Sequence, residues 1–147
     1  MTEPDNSPDL EAIRKSSAAH LALYLETDGE QGGTRHGADV LILTTTGRRS
    51  GEARSTPLIY GRDGDRLVIV GSLGGAPRHP YWYLNLLAEP NALVQVMADR
   101  FPVRARVAEG EERSRLWPLV TRVYPPYAEY QTRTEREIPL VVLERVQ

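Results

Sequence analysis

The apolar run Val40-Leu41-Ile42-Leu43 passes without a break into Thr44-Thr45-Thr46-Gly47-Arg48-Arg49-Ser50-Gly51. A strand that runs straight into a glycine-bracketed turn must double back, so this stretch commits the chain to antiparallel pairing early. The turn also carries more charge than turning requires. Arg48 and Arg49 are adjacent and Arg54 follows just beyond, and three guanidinium groups this close suit a multiply charged anion such as a phosphate or polycarboxylate. Gly47 and Gly51 let backbone N–H groups converge on such an anion, and Ser50 adds a hydroxyl donor. An isolated arginine pair is more often a solvated hairpin tip. The spacing is not that of a P-loop, which needs a longer glycine interval and a lysine before Ser/Thr.

Strand signals continue at 54–61 and 66–71, joined by the hairpin dipeptide Asp63-Gly64, and recur at 92–97, 101–108 and 138–143. In 101–108, Phe101, Val103, Ala105 and Val107 alternate with Pro102, Arg104 and Arg106, and Pro102 favours the strand's start or an edge. Helical patterns cover Asp9 to about Glu26 with Asp9 as N-cap, Tyr81 to Ala88, and 109–123. Residues 29–37 and 72–80 read as loops, and residues 1–8 as a disordered start. Six strands separated mainly by hairpins, with helices inserted late, predict an α+β fold built on a small antiparallel barrel, in one domain over 9–147.

Composition removes several alternatives. The chain has no cysteine, which excludes disulfides, thiolate metal sites and cysteine nucleophiles. Its net charge of -2 argues against general nucleic-acid binding despite the basic turn. The acidic, proline-containing start is unlike a secretory signal, and no apolar run approaches the ~20 residues of a bilayer span. A cytoplasmic protein is expected. His20, His36 and His79 show no metal-ligand spacing, and no nucleophile–base pair stands out. An enzyme built this way relies on a cofactor.

Two further constellations carry chemistry. Ser72-Leu73-Gly74-Gly75-Ala76-Pro77 leaves the strand Leu67-Val68-Ile69-Val70, and its paired glycines allow close backbone approach to a flat ligand. A plain connecting loop is the competing reading. Tyr124, Tyr127 and Tyr130, spaced i, i+3 and i+6 after Pro125-Pro126, place three phenols where a purely packing stripe would not need hydroxyls. Trp82 and Tyr83 read as packing residues on the helix after the glycine loop, and Asn85 as a brace for that loop.

These blocks, with His79-Pro80, Trp82-Tyr83-Leu84-Asn85-Leu86 and Arg136-Glu137-Ile138-Pro139, occur in an order that closely resembles the deazaflavin (coenzyme F-420)-dependent nitroreductase family of actinobacteria, over about residues 35–145. The resemblance implies an FMN-binding-like split β-barrel, with a mostly antiparallel six-stranded barrel and flanking helices. It implies reduced coenzyme F-420, an 8-hydroxy-5-deazaflavin with a phospholactyl polyglutamate tail, as hydride donor to a quinone or nitroaromatic acceptor. Arg48, Arg49, Ser50 and Arg54 then match the residues around phosphate and tail. Pro57, Ser72, Leu73, Gly74, Gly75, Arg78, Trp82 and Asn85 complete the implied cofactor site. Tyr124, Tyr127, Tyr130 and Ser72 match the acceptor side, where hydroxyls steady charge developing on oxygen. Family members often carry lysine where this chain has Leu73, which removes one cation; Arg78 stands nearby to compensate. A non-catalytic F-420 or flavin carrier and an FMN-dependent split-barrel oxidoreductase are the alternatives. Peripheral membrane contact through the 9–26 helix is compatible with a quinone acceptor, although Ser16 and Ser17 interrupt its apolar stripe and favour packing on the barrel or covering the pocket.

Overall fold

The computed structural model describes residues 8–146, so the expected disorder of residues 1–7 lies outside the described residues. Pro8, also assigned to that start, is half-buried beside Gly74. The elements run α1 (Leu10–Thr27), β1 (Thr34–Arg35), β2 (Ala38–Thr46), β3 (Ala53–Asp63), β4 (Arg66–Val70), α2 (Tyr81–Ala88), β5 (Asn91–Val96), β6 (Asp99–Val107), α3 (Gly110–Val123), α4 (Pro126–Thr132) and β7 (Leu140–Arg145). A single 3-10 turn spans Leu73–Gly75.

The strand order β2-β3-β4-β7-β6-β5 closes on itself through β5 against β2, and every pairing is antiparallel. This is the closed six-stranded barrel with flanking helices that the hairpin pattern predicts. Closure leaves these six strands no free edge, and β1 adds a two-residue pairing on the outside of β2. β7 reaches its place between β4 and β6 only after α3 and α4 have been laid down.

The continuous apolar runs follow from this architecture. Leu41, Leu43, Leu67, Ile69, Val141 and Leu143 point into the barrel, where they form one buried cluster with Val94, Val103 and Ala105. Their alternate neighbours point outward and are buried as well. Val40 and Ile42 lie under α1 with Tyr24, while Val68, Val70, Leu140 and Val142 lie under α3 and α4 with Leu116, Val120 and Ile138. Strands covered on both faces lose the polar alternation that β6, with only one covered face, retains. Trp82 and Leu86 of α2 belong to the interior cluster, so α2 closes one end of the barrel.

Three local expectations shift. The β3–β4 loop is Gly64-Asp65, one residue later than the Asp63-Gly64 signal, because Asp63 still pairs with Arg66. Pro102 sits within β6 rather than at an edge; its carbonyl accepts from Val146 N–H at 3.0 Å, and its missing donor falls where β7 runs out. Residues 34–39 form a hairpin that begins inside the 29–37 segment read as loop.

α1 begins as expected: the Asp9 carboxylate accepts from the Glu11 and Ala12 N–H groups, both at 3.1 Å. Its C-terminal half is anchored by Tyr24, whose hydroxyl accepts from Met97 N–H at 2.7 Å. Among the described residues no helix is long and apolar enough to cross a membrane.

Candidate active site

With α1 fixed at its C-terminal end, its first three turns lie across the barrel and leave a groove of about 860 Å³ beneath them, within the roughly 300–1,000 Å³ usual for small-molecule sites. One end is the arginine turn, the middle is the glycine loop, and the other end is the tyrosine cluster. Of the residues selected from sequence, Arg48, Arg49, Ser50, Arg54, Pro57, Ser72, Leu73, Gly74, Arg78, Trp82, Asn85, Tyr124, Tyr127 and Tyr130 all line it. Gly75 does not. It has φ +82° and turns its back to α4, where a Cβ would stand 2.7 Å from the Tyr130 carbonyl oxygen.

The arginine turn is held from within and from behind. Gly47 N–H donates to Glu52 O at 2.7 Å, Gly51 N–H to Gly47 O at 2.8 Å, and Glu52 N–H to Ser50 Oγ at 3.1 Å. The Ser50 hydroxyl oxygen is therefore already engaged as an acceptor, which leaves its proton free to donate. Asn85 is the brace, but for this turn rather than for the glycine loop. Its buried amide donates to Thr45 Oγ1 and its Oδ1 accepts from Arg48 N–H, both at 3.1 Å. Arg54 pairs with Glu52 at 3.2 Å, whereas among the described residues no carboxylate pairs with Arg48 or Arg49.

The glycine loop turns through consecutive left-handed residues, Leu73 (φ +44°), Gly74 (+64°) and Gly75 (+82°). Leucine in that region costs roughly 1–2 kcal/mol, so the surroundings must impose it. Arg136 supplies the restraint. Its guanidinium donates to the carbonyls of Ala76 (2.8 Å), Gly71 (3.0 Å) and Ser72 (2.7 Å). It also lies 3.2 Å from His79 Nδ1, which must then be the acceptor, the imidazole being neutral. Burial, and after it the Arg136 charge, holds the His79 pKa below its ordinary value. Gln131 of α4 joins this clamp to the tyrosine helix, donating to Arg136 O at 2.8 Å and accepting from Ile138 N–H at 2.9 Å.

The three tyrosines converge although Tyr124 precedes α4 rather than lying on it. The Tyr124 and Tyr130 hydroxyls are 3.3 Å apart, and the Tyr124 and Tyr127 rings meet edge-on at 4.9 Å. Burial, with Tyr124 adding to it, pushes the Tyr127 phenol far above its ordinary range. Tyr130 is pushed up to about 12, by burial first and by its hydrogen bond to Tyr124 second. Both phenols stay protonated across the physiological range, so each keeps an O–H.

Sequence reasoning missed two contributors. Arg136 entered only as part of the Arg136-Glu137-Ile138-Pro139 block and was given no role, because its role depends on a loop some sixty residues earlier in the chain. Arg35 reaches the groove from β1, and the His36-Gly37 pair was the only hint of the hairpin that carries it. Counting both ends, six arginines (Arg14, Arg35, Arg48, Arg49, Arg54 and Arg78) line the groove and no described carboxylate does.

Comparison with known proteins identifies the family. Residues 16–145 match the family model described as F-420H(2)-dependent quinone reductase. The chain is 43% identical over 130 residues to an F-420H(2)-dependent quinone reductase of Mycobacterium tuberculosis, covering 86% of this chain and 87% of that protein. A solved F-420-H2 dependent reductase is 44% identical, with a TM-score of 0.67 over 71% of this chain and 93% of that one. A second solved relative, described as a domain-swapped dimer, is 38% identical, with a TM-score of 0.70 over 91% of this chain and 98% of its own. The chain belongs to the F-420H(2)-dependent quinone reductase family.

Proposed function

We propose that the groove under α1 binds reduced coenzyme F-420 with its anionic tail at the arginine turn, and that a quinone meets it at the tyrosine end. The enzyme is an F-420-dependent quinone reductase. The residues present fit the cofactor. Arg48 and Arg49, free of described carboxylate partners, suit phosphate and tail carboxylates, and Arg54 joins them if it releases Glu52. The Ser72–Gly74 segment, small and held from behind, suits a flat ring system, with Pro57 and Trp82 as apolar wall.

When bound, the cofactor supplies a hydride from the C5 position of its deazaflavin. The chain's own contribution is positioning and charge stabilisation. Arg136 fixes the glycine loop, and a fixed loop beside the cofactor would help to hold donor and acceptor at near-attack distance. Tyr130 and Tyr127 offer O–H donors to the acceptor oxygen as negative charge develops there, and Tyr124 orients Tyr130 through their hydroxyl contact. The Ser72 hydroxyl is a further donor on the cofactor side. The first turns of α1 border the groove and would limit the access of water to a bound cofactor. The same donors suit the oxygens of a nitro group, and the reading extends to nitroaromatic acceptors.

The observation that carries this reading is the continuity of one groove, with no described carboxylate in its lining, from unpaired arginines, past a clamped glycine loop, to three phenols, of which Tyr127 is buried and Tyr124 and Tyr130 are half-buried. Titration with F-420, followed by oxidation of its reduced form with menadione, tests it. Absence of binding at micromolar protein would sink it. Binding without oxidation by any quinone would make the chain a carrier, and a yellow protein purified with FMN would make it a flavin enzyme.

A further inference from the structure

Five of the six groove arginines belong to α1, to the arginine turn or to the strand and loop beside them, and Arg35 stands apart. It lies on β1, in a hairpin closed by His36 (φ +51°) and Gly37 (φ +80°). Two consecutive left-handed residues are the signature of a tight two-residue turn whose twist matches its strands, so Arg35 sits on a defined hairpin rather than a loose loop. The register pairs Arg35 with Ala38 and Thr34 with Asp39. Cross-strand partners share a face and neighbours alternate, so Asp39 lies on the face opposite Arg35. Arg35 instead shares the face of Ala38 and Val40, toward α1 and the groove.

The hairpin tip is also tied to the phenols. The His36 ring centroid lies 6.0 Å from that of Tyr124. The Arg35 charge acts on Tyr127 and Tyr130, where it opposes the effect of burial. The other arginine at this end, Arg133, lies over the Tyr130 ring at 5.3 Å and is paired with Glu129 at 3.0 Å. Among the described residues no carboxylate pairs with Arg35. The tyrosine end thus holds three phenols and, in Arg35, a cation with no described carboxylate partner.

We propose that Arg35 is an acceptor-selecting residue, favouring quinones that carry an anionic substituent (a carboxylate, a sulfonate or an ionised hydroxyl) over neutral ones. The inference rests on the assignment of the tyrosine end to the acceptor. A guanidinium beside a half-buried pocket binds a planar anion through paired hydrogen bonds that a neutral quinone cannot form. The tail-binding arginines lie at the opposite end of the groove and do not serve this purpose.

The test compares menadione with a naphthoquinone sulfonate, read first as equilibrium binding by quenching of tryptophan fluorescence, with oxidised F-420 saturating the arginine turn. Arg35→Gln is expected to weaken sulfonate binding about tenfold and to change menadione binding less than about twofold. Arg35→Lys keeps the charge and is expected to retain most of the preference, and added salt to erode it. In turnover with reduced F-420 the loss should fall on KM for the sulfonate, with kcat held. Equal losses for both acceptors, or none for either, would overturn the proposal. If F-420 does not bind, the assignment of the groove fails on its own. The same titration of the unloaded protein, with Arg49→Gln for comparison, then decides whether Arg35 is the anion contact.

Discussion

Arg136 offers the sharpest test of how the site is held. Its guanidinium makes three hydrogen bonds to backbone carbonyls of Gly71, Ser72 and Ala76, between 2.7 and 3.0 Å. A hydrogen bond from a charged donor contributes roughly 1.5–3 kcal/mol. The plain sum overstates the loss, because burial of the cation itself is unfavourable, as its lowered pKa shows. Water can also reach part of a half-buried site in the truncated protein. A net cost of about 2–4 kcal/mol for Arg136→Ala is the reasonable expectation. For a domain of this size it amounts to a fall in Tm of roughly 5–15 °C. The released loop must then be reordered when ligand binds, so F-420 affinity should drop about tenfold or more. Arg136→Lys supplies a point charge without the planar fork and should recover less than half of either loss. The His79 pKa should move back toward its ordinary value of 6.5 in Arg136→Ala, which NMR titration of the imidazole reads directly. A variant that melts within about 1 °C of the parent and binds F-420 equally well would refute the clamp, as would full rescue by lysine.

The arginine turn predicts an unequal pair: Arg49→Ala should weaken F-420 binding about tenfold, and Arg54→Ala less, since Arg54 must first leave Glu52; fluorescence titration of both variants settles the order. Gly75→Ala should destabilise the fold by about 2–4 kcal/mol in a denaturant melt, because it sets a Cβ 2.7 Å from the Tyr130 carbonyl at φ +82°. Tyr130 has a folded-state pKa raised to about 12 from 10.0; the stability tied to its protonated form is intact below pH 10 and lost as pH rises through 12, so an alkaline melt series should fall across that window and Tyr130→Phe should make the fall shallower, the remainder belonging to Tyr127, whose phenol is also pushed up. In turnover Tyr130→Phe should lower kcat with little change in F-420 affinity, and an equal loss in both would remove its assigned role.

The sequence was most legible where one segment contains its own explanation. Strands, hairpins and the arginine turn are written in alternation, glycine placement and charge density within ten residues, and the barrel follows from their order. The double-sided burial of Leu67–Val70 and Leu140–Leu143 was likewise foreshadowed by unbroken apolar runs. What stayed hidden was the work of residues whose partners are distant. Asn85 reads as a brace from its place on α2, yet which loop it braces depends on how α2 closes the barrel, and the answer is the arginine turn. Gly75 and Gly74 are indistinguishable in the chain, but α4 stands behind one and the groove opens before the other.

Arg35 and Arg136 show why charge alone does not identify a role. The chain has seventeen arginines, and nothing local separates one that clamps carbonyls from one that faces solvent or an anion. The distinction lies in what each guanidinium finds after folding. Arg136 meets three carbonyls in a half-buried position and is spent on structure. Arg106 is likewise committed, to Glu112 and Glu144 on the barrel's outer surface. Arg48, Arg49 and Arg35 meet no described carboxylate, and all three line the groove. Unpaired cations facing one cavity repel one another and destabilise the empty protein slightly, and an anionic ligand relieves that repulsion. The turn whose charge density first suggests an anion site is therefore one end of a longer electrostatic pattern, in which cations committed to carbonyls and carboxylates build the walls and uncommitted ones are left facing the groove.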